Sequence, residues 1–159
     1  MKKRDATGIY LWNVLMKAHH ALREVALHSI ENTGMCFSDF AVLEALLHKG
    51  PMAVNAIGAK VHLTSGSITT AVGRLESRGL VTRQNDTADR RSRIVDLTEE
   101  GRKTIETLFA AHEADMNQAL DVLPGSERME LISLLKKVGR AVKGDLVDET
   151  MRAEASAKT

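Results

Sequence analysis

The sequence predicts a mainly α-helical fold with a winged helix-turn-helix at its centre, so that a small α+β unit lies between long helices. Three observations lead to this prediction. Apolar residues recur at helical spacing along most of the 159 residues, a short turn separates two short helices, and segments 80–83 and 93–97 alternate as strands do. The winged helix-turn-helix is expected over residues 38–98, with long helices at 7–31 and 99–147.

Composition is that of an ordinary soluble domain, with 43% hydrophobic residues, 27% charged residues and a net charge of +1. Basic residues at Lys2, Lys3 and Arg4 precede no apolar run long enough for a signal peptide, and no segment approaches a membrane span. A cytoplasmic protein without membrane contact is expected. The single cysteine excludes an intrachain disulfide and is typical of a reducing compartment.

End signals in the sequence place the helices around the central unit. The first helix is expected to end at Asn32-Thr33-Gly34, and Ser38 is expected to cap a second helix that Gly50-Pro51 closes. An acidic first turn opens the long helix after the wing, and Pro124-Gly125 interrupts it. Residues 148–159 are small and charged, so a frayed tail is expected there.

The second helix of the helix-turn-helix has one face for the core and another for a partner. Thr64 is expected to cap its N-terminus, and the apolar residues Ile68, Val72 and Leu75 recur on one face. The other face carries small and hydroxylated residues and one arginine, namely Ser67, Thr70, Ala71 and Arg74. Serine and threonine approach phosphates and base edges closely, and arginine forms a bidentate pair with guanine. This face therefore predicts contact with duplex DNA.

The loop between the two strands is charged, and it carries Asp86, Asp89, Arg90 and Arg91. From Arg74 to Arg93 there are six arginines and three carboxylates, a local excess of three positive charges. A solvated wing with internal ion pairs is the plain interpretation. An electrostatic footprint for nucleic acid is favoured, because the charge lies beside the hydroxylated helix face.

Across helix and wing the sequence resembles the MarR family of bacterial transcription regulators. The resemblance lies in two runs, Leu63-Thr64-x-x-Ser67-Ile68-Thr69-x-x-Val72-x-x-Leu75-Glu76-x-x-Gly79-Leu80-Val81-x-Arg83 and Asp89-Arg90-Arg91-Ser92-x-x-Val95-x-Leu97-Thr98-x-x-Gly101. Two positions depart from the family pattern: Ala53 stands where a serine or threonine cap is frequent, and Gly58 stands where alanine is usual. Neither departure falls among the residues expected to face DNA.

The resemblance implies a homodimeric, sequence-specific transcription regulator that binds a palindromic operator in double-stranded DNA, more often as a repressor than as an activator. The helices at 7–31 and 99–147 look like the family's dimerisation helices; by their apolar surface alone they could also pack in a larger monomer. The residues expected to contact DNA are Ser65, Ser67, Thr69, Thr70, Arg74, Arg90 and Arg91. Arg91 is expected to enter the minor groove, with Asp89 orienting a wing arginine.

Catalytic and metal-binding motifs are missing from the sequence. It holds no phosphate-cradling glycine loop, no HExxH, no paired CxxC and no GxSxG, so neither an enzyme nor a cofactor is expected. The six histidines include no pair at i, i+4, which argues against a helical metal site. A metal-responsive regulator is the least favoured alternative, and a winged helix used only for protein contacts is the competing class.

A small organic ligand is the first hypothesis for what the regulator senses. The resemblance implies a pocket between the dimerisation helices and the winged helix, and His20, Phe40 and His112 are the candidates to line it. The plain interpretation of these residues is packing in the core or at an interface. Release from DNA by such a ligand is the expected mode of control.

Oxidation of Cys36 is the alternative hypothesis. Cys36 lies close to an expected helix N-terminus, which favours a reactive thiolate, but its neighbours Met35 and Phe37 indicate burial, which opposes it. No basic residue is close to Cys36 in the sequence. An inert, buried thiol is therefore expected, with redox sensing second to the ligand mechanism.

Overall fold

The computed structural model describes residues 7–85 and 93–156, with side chains as far as position 142. In chain order the described elements are α1 (Gly8–Glu31), α2 (Phe37–Lys49), β1 (Met52–Ala53), α3 (Val54–Lys60), α4 (Ser65–Ser77), β2 (Val81–Asn85), β3 (Arg93–Leu97), α5 (Glu99–Ala119) and α6 (Gly125–Ser156). They confirm the predicted fold class, mainly α with a winged helix-turn-helix. Residues up to Ala119 and residues from Leu120 onward form two compact units.

The wing is an antiparallel pair of strands, β2 and β3, in which Val81 pairs with Leu97 and Asn85 pairs with Arg93. The sequence predicts the first of these strands at 80–83, whereas β2 begins one residue later and continues to Asn85. Leu80 belongs instead to the turn after α4, where its backbone N–H donates to Leu75 O at 2.9 Å. The turn thus joins the end of α4 directly to the wing.

A third strand, β1, completes the sheet in the order β1-β3-β2. The sequence does not predict it, because two residues are too few to show an alternating pattern. Met52 pairs with Val95 and Ala53 pairs with Ile94. Since α3 begins immediately after β1, this pairing fixes the start of the helix-turn-helix against the base of the wing.

Helix ends follow the sequence signals at α1 and at the C-terminus of α2, which Gly50 closes, but not at the N-terminus of α2. Thr7 caps α1 by accepting the N–H of Tyr10 at 3.3 Å, and the chain leaves the helix through Asn32. The predicted cap of α2, Ser38, is wrong, because Cys36 occupies the cap position. The Cys36 carbonyl accepts the N–H groups of Asp39 and Phe40 at 3.1 Å, so Ser38 already lies within the first turn.

The core of the first unit forms where α2 meets α3, α4, β3 and α5. Its largest fully buried side chains are Ile30, Phe40, Leu43, Leu46, Ile57, Ile68, Leu75 and Ile105. Transfer of each such side chain from water stabilises the fold by about 1.5–3 kcal/mol. This burial is what holds the short helices of the helix-turn-helix, since helices of their length are marginal in isolation.

Two glycines allow backbones to approach closely. At Gly58 of α3 a Cβ atom would lie 3.3 Å from Ile68 Cγ2, so α3 and α4 are in contact there. At Gly101 of α5 a Cβ atom would overlap with the backbone oxygen of Leu80. Thr98 fixes this second approach: its hydroxyl donates to Gly79 O at 2.7 Å and accepts the Gly101 N–H at 2.9 Å.

The second unit is the turn before α6 together with that helix. Arg128 closes the turn, because its Nε donates to Leu123 O at 2.9 Å and to Leu120 O at 3.1 Å. The backbone of α6 stays helical to Ser156, past position 147, where the sequence predicts the helix to end. Residues 149–155 are mostly glutamate, methionine, arginine and alanine, which are strong helix formers.

Apolar side chains remain exposed on α1 of the first unit and on α6 of the second unit. On α1 they are Ile9, Tyr10, Leu11, Trp12, Val14, Leu15, Met16 and Val25. On α6 they are Met129, Leu131, Ile132, Leu134, Leu135, Val138 and Val142. Among the helices described here, none is long and apolar enough to cross a membrane.

Replacing Gly101 with alanine tests the approach of α5 to the turn after α4. The added Cβ would meet Leu80 backbone atoms rather than a side chain that can rotate away, so the helix must shift. We expect Gly101→Ala to lower the free energy of unfolding by about 1–3 kcal/mol, measured by urea titration. Gly139→Ala is the control, because nothing lies within 4 Å of that site in α6; an unchanged Gly101→Ala stability would contradict the packing described.

Candidate nucleic-acid interface

The helix α4 is fixed to the core by one face. Thr64 caps it as predicted, since its hydroxyl accepts the Ser67 N–H at 3.2 Å. Ile68, Val72 and Leu75 are buried as predicted, but the predicted outward position of Ala71 is wrong, because Ala71 is buried too. Ala71 lies three residues after Ile68 and four before Leu75, so helical geometry places all three side chains on the same face.

The opposite face of α4 carries exposed hydroxyl groups, and four of them, those of Ser65, Ser67, Thr69 and Thr70, lie in the first half of the helix. The Thr69 hydroxyl donates to Ser65 O at 2.8 Å, and the Thr70 hydroxyl donates to Gly66 O at 2.9 Å. Because each of these two hydroxyl protons is used within the helix, the oxygen lone pairs remain for a donor outside. These two side chains suit acceptance of hydrogen bonds from base amino groups.

Arg74 lies one turn beyond Thr70 and contacts α2. Its Nη2 donates to Asp39 Oδ1 at 2.6 Å and its Nε donates to Asp39 Oδ2 at 3.3 Å. Nη2 also lies 3.0 Å from Ser38 Oγ and 3.4 Å from Cys36 Sγ. Nothing in the sequence pattern predicts this role for Asp39, which there is simply an acidic residue in the first turn of a helix.

The two partners of this ion pair differ in exposure. The Asp39 side chain is 4% exposed, whereas that of Arg74 is 45% exposed. The hydrogen bond that Arg74 donates to Asp39 raises the pKa of the Arg74 guanidinium above its ordinary value, and the Asp39 charge adds to the effect. Arg74 is therefore a permanent cation that is anchored on its inner side and open on its outer side.

A recess of about 400 Å³ joins Arg74 to the hydroxylated face of α4. Its lining consists of Ser38, Leu63, Gly66, Ser67, Thr70 and Arg74. The structure thus brings three of the predicted DNA contacts, Ser67, Thr70 and Arg74, around one depression. Ser38 from the first turn of α2 joins them, and no sequence pattern indicates that it would.

The arginines near the wing are not equivalent. Arg83 on β2 lies 2.9 Å from Glu76 Oε2, an ion pair whose Nε–H is not aligned for a hydrogen bond. Arg78 and Arg93 are exposed. Asp89, Arg90 and Arg91, which are predicted to act at the wing tip, lie outside the described residues.

The predicted effector residues fall in two places. Phe40 is buried and its ring meets that of His112 edge to face, with centroids 5.1 Å apart. His112 Nδ1 lies 3.1 Å from Ser29 Oγ, and Ser29 donates to Asp115 Oδ2 at 2.6 Å. His20, by contrast, is exposed on α1.

A cavity of about 500 Å³ between α1 and α5 lies beside this polar chain. Its lining is Glu24, Val25, His28, Ser29, Asn32, Asp115, Gln118 and Ala119. Ser29 and Asp115 are shared between the cavity and the chain that ends at His112. Within residues 7–85 and 93–142, no three His, Cys, Asp or Glu side chains meet in a way that could hold a metal ion.

Cys36 differs from expectation in two respects. Its side chain is exposed, so the predicted burial is wrong; the neighbouring Met35 enters the core instead. No basic residue is close to Cys36 in the sequence, but one is close in space, because Arg74 Nη2 lies 3.4 Å from Cys36 Sγ. The thiol therefore lies at the surface beside a fixed positive charge.

Comparison with known proteins identifies the family. The family model described as MarR family matches residues 38–92. The HTH-type transcriptional regulator MhqR of Bacillus subtilis is 35% identical over 136 residues, which span 86% of this chain and 94% of that protein. The chain belongs to the MarR family. It is thus a DNA-binding transcription regulator of the MarR type and not an enzyme.

Solved MarR-type structures share the fold. A mutant MarR from E. coli, solved in complex with operator DNA, has a TM-score of 0.70 and 24% identity, with 82% of this chain and 94% of that chain covered. PcaV from Streptomyces coelicolor, solved with its natural ligand, has a TM-score of 0.62 and 25% identity, with 86% and 94% covered. Both match the winged helix-turn-helix fold described above.

Replacing Arg74 with alanine tests how strongly the ion pair holds α4 on α2. Asp39 would remain buried without its charged donor, which costs about 1–3 kcal/mol for an unsatisfied buried acceptor. We expect Arg74→Ala to lower the free energy of unfolding by that amount. The control is Arg78→Ala, which removes an exposed arginine four residues later; equal stability of both variants in urea titration would show that the pair contributes nothing.

Proposed function

We propose that the protein is a homodimeric repressor that binds a palindromic operator through α4 and the wing. The observation that supports this most directly is the exposed hydroxyl row of α4, on a helix whose other face is fully buried. Such a helix can enter a major groove without disturbing the core. Ser65, Ser67, Thr69, Thr70 and Arg74 are the proposed contacts of the helix, and Arg90 and Arg91 are those of the wing.

The operator is proposed to be palindromic because a two-fold dimer presents two copies of α4. Half-sites one DNA turn apart, roughly 34 Å, would let both copies enter successive major grooves. Repression follows from the same geometry, since a dimer bound across a promoter excludes polymerase.

The wing is proposed to add two contributions. Asp89 is proposed to orient a wing arginine, and Arg91 is proposed to enter the minor groove.

Operator binding by hydroxyl variants tests the DNA contacts. Operator DNA is first selected from random duplexes, and affinity is then measured by fluorescence anisotropy at fixed salt. We expect Ser67→Ala and Thr70→Val each to weaken binding by about 1–3 kcal/mol, the scale of one base contact. Ser77→Ala is the matched control, because its hydroxyl also donates within α4, to Gly73 O at 2.9 Å, but at the far end. If no DNA sequence is enriched in the selection, the proposed operator binding is wrong.

The proposed dimer explains the exposed apolar side chains of α1 and α6. A monomer in water rarely keeps rows of this kind uncovered, and a second copy of the chain is the partner that buries matching rows across a two-fold axis. On α6 the row recurs at helical spacing through Leu131, Leu134, Leu135, Val138 and Val142. Each of the two rows is proposed to take part in the dimer.

The mass in solution tests the dimer. We expect the wild type to have the mass of two chains in light scattering after size exclusion, and Leu134→Ser with Val138→Ser to shift it toward one chain. These side chains are 52% and 48% exposed, so their replacement removes interface area rather than the core of a single chain. Lys136→Ser on the same helix is the control; a monomeric wild type would contradict the proposal.

A small organic ligand is proposed to release the repressor. Phe40 and His112 already form an aromatic contact, and the cavity between α1 and α5 adjoins the polar chain that ends at His112. The solved structure of PcaV with its natural ligand supports this mode of control for a related fold. A ligand acts only if it prefers the form of the dimer that does not fit DNA. His20, which is exposed on α1 outside the lining of this cavity, is the third proposed contact.

Control through Cys36 is the second candidate, and its exposure beside Arg74 favours it. A peroxide would transfer one oxygen atom to the thiolate, giving sulfenic acid and hydroxide, so that the sulfur is oxidised and the peroxide reduced. The product lies within contact distance of the guanidinium that α4 carries. Oxidation would therefore change the charge and size of a group beside the proposed DNA contact.

Operator binding with two kinds of effector separates these candidates. We expect small aromatic acids or phenols to release both wild type and Cys36→Ser from the operator, and peroxide to release neither. Anisotropy with and without each compound is the measurement, and addition of reductant after peroxide is the control. If peroxide releases only the wild type, and reductant reverses this release, oxidation of Cys36 is the mechanism of control and the ligand hypothesis is wrong.

A further inference from the structure

We propose that Asp39 is a positioning residue for DNA binding, which directs the guanidinium of Arg74 to the phosphate backbone and away from a guanine edge. The proposal rests on the proposed function, because it concerns the same face of α4. It changes the role of Arg74 from a base-reading residue to an anchor. Asp39 itself touches no DNA, because its side chain is 4% exposed.

The donors of Arg74 can be assigned one by one. A guanidinium has five N–H groups, one on Nε and two on each Nη. The edge formed by Nε and Nη2 faces the two carboxylate oxygens of Asp39, at 3.3 and 2.6 Å. The remaining N–H of Nη2 is directed to Ser38 Oγ at 3.0 Å and Cys36 Sγ at 3.4 Å. The two N–H groups of Nη1 lie outside these contacts.

This assignment disfavours a bidentate pair with guanine. Such a pair needs two neighbouring nitrogens to donate in parallel to O6 and N7. A guanidinium offers two edges of this kind, and both include Nη2: the Nε–Nη2 edge is taken by Asp39, and the Nη1–Nη2 edge is shared with Ser38. A phosphate oxygen, in contrast, needs a single donor, and Nη1 can supply it without breaking any contact.

Burial makes this arrangement costly to abandon. Asp39 is removed from water, so withdrawal of Arg74 toward a base edge would leave a buried carboxylate without its charged partner. Charge-assisted pairs in which one carboxylate faces two donors are among the strongest in proteins. The exposed side of Arg74 opens on the recess that Ser67 and Thr70 also line. A backbone phosphate in that recess would meet the cation while the hydroxyls read the neighbouring bases.

The test compares base preference with salt dependence. Affinity is measured for the selected operator, for a set in which each base pair of one half-site is exchanged in turn, and over a range of salt concentrations. Wild type, Arg74→Ala, Arg74→Lys and Asp39→Asn are compared, with Arg23→Ala, which removes an exposed arginine of α1, as control. Circular dichroism confirms that each variant is folded at the temperature of the assay.

We expect Arg74→Ala to lower affinity by the same factor, about tenfold, for every operator in the set. The slope of log K against log salt should become shallower by about 0.9 for each phosphate that the variant no longer neutralises. Arg74→Lys keeps the charge but cannot place two parallel bonds on Asp39, so it should retain the slope and only part of the affinity. A weakening confined to one G·C position would overturn the proposal and assign Arg74 to guanine.

The role of Asp39 is measured by a double-mutant cycle. We expect Asp39→Asn to weaken operator binding in the wild-type background and to have no further effect in the Arg74→Ala background. Equal weakening in both backgrounds would show that Asp39 acts on the fold alone and would overturn the positioning role. If Asp39→Asn is unfolded, the same cycle is run with Asp39→Glu, which keeps the buried charge but moves the carboxylate by one methylene group away from its place against Arg74. Lack of operator binding by the wild type would instead remove the proposed function.

Discussion

The proposed DNA-reading surface depends on the burial of one face of α4 against α2. A helix of thirteen residues is only marginally stable by itself, so packing against α2 is what keeps it folded and oriented. Ile68, Ala71, Val72 and Leu75 are each at most 1% exposed, so the helix cannot rotate about its axis without drawing apolar surface into water. The hydroxyl row is therefore outward as a geometric consequence of the core. Neighbouring elements add to the constraint: Gly58 brings α3 onto Ile68, and Gly101 brings α5 onto the turn after α4.

The sequence contains the local part of this arrangement but not the long-range part. The cap at Thr64 and the buried positions Ile68, Val72 and Leu75 follow from a residue type and from a period of 3.6, both visible in a short window. The pairing of Asp39 with Arg74 joins residues 35 positions apart, and no periodicity indicates such a contact. The exposure of Cys36 escapes prediction for a related reason, since apolar neighbours in sequence do not determine which side chain leaves the core.

The polar contacts between α2 and α4 supplement their apolar packing in a specific way. Hydrophobic contact is non-directional, so it determines how closely the helices approach but only loosely how a side chain at the rim is oriented. The two oxygens of Asp39 fix the plane of the Arg74 guanidinium, and Ser38 fixes its end. A buried ion pair need not add much to the stability of the fold, but it restricts the conformation of the side chains that form it. At a binding surface, the fixed orientation of the Arg74 guanidinium is the more important of these two effects.

Under either proposed mechanism of control, the first turn of α2 connects the sensing residues to Arg74. Asp39, which holds Arg74, is the residue before Phe40, whose ring meets His112 of α5. A ligand that moved the Phe40 and His112 rings would therefore act on the same turn of helix that orients Arg74, and so would a change at Cys36, which caps that turn. The ligand mechanism begins at Phe40 and His112 and the redox mechanism begins at Cys36, but both must change the orientation of Arg74. Phe40 is 1% exposed, and close-packed interiors absorb little displacement, so we expect a shift of its ring to displace the whole turn.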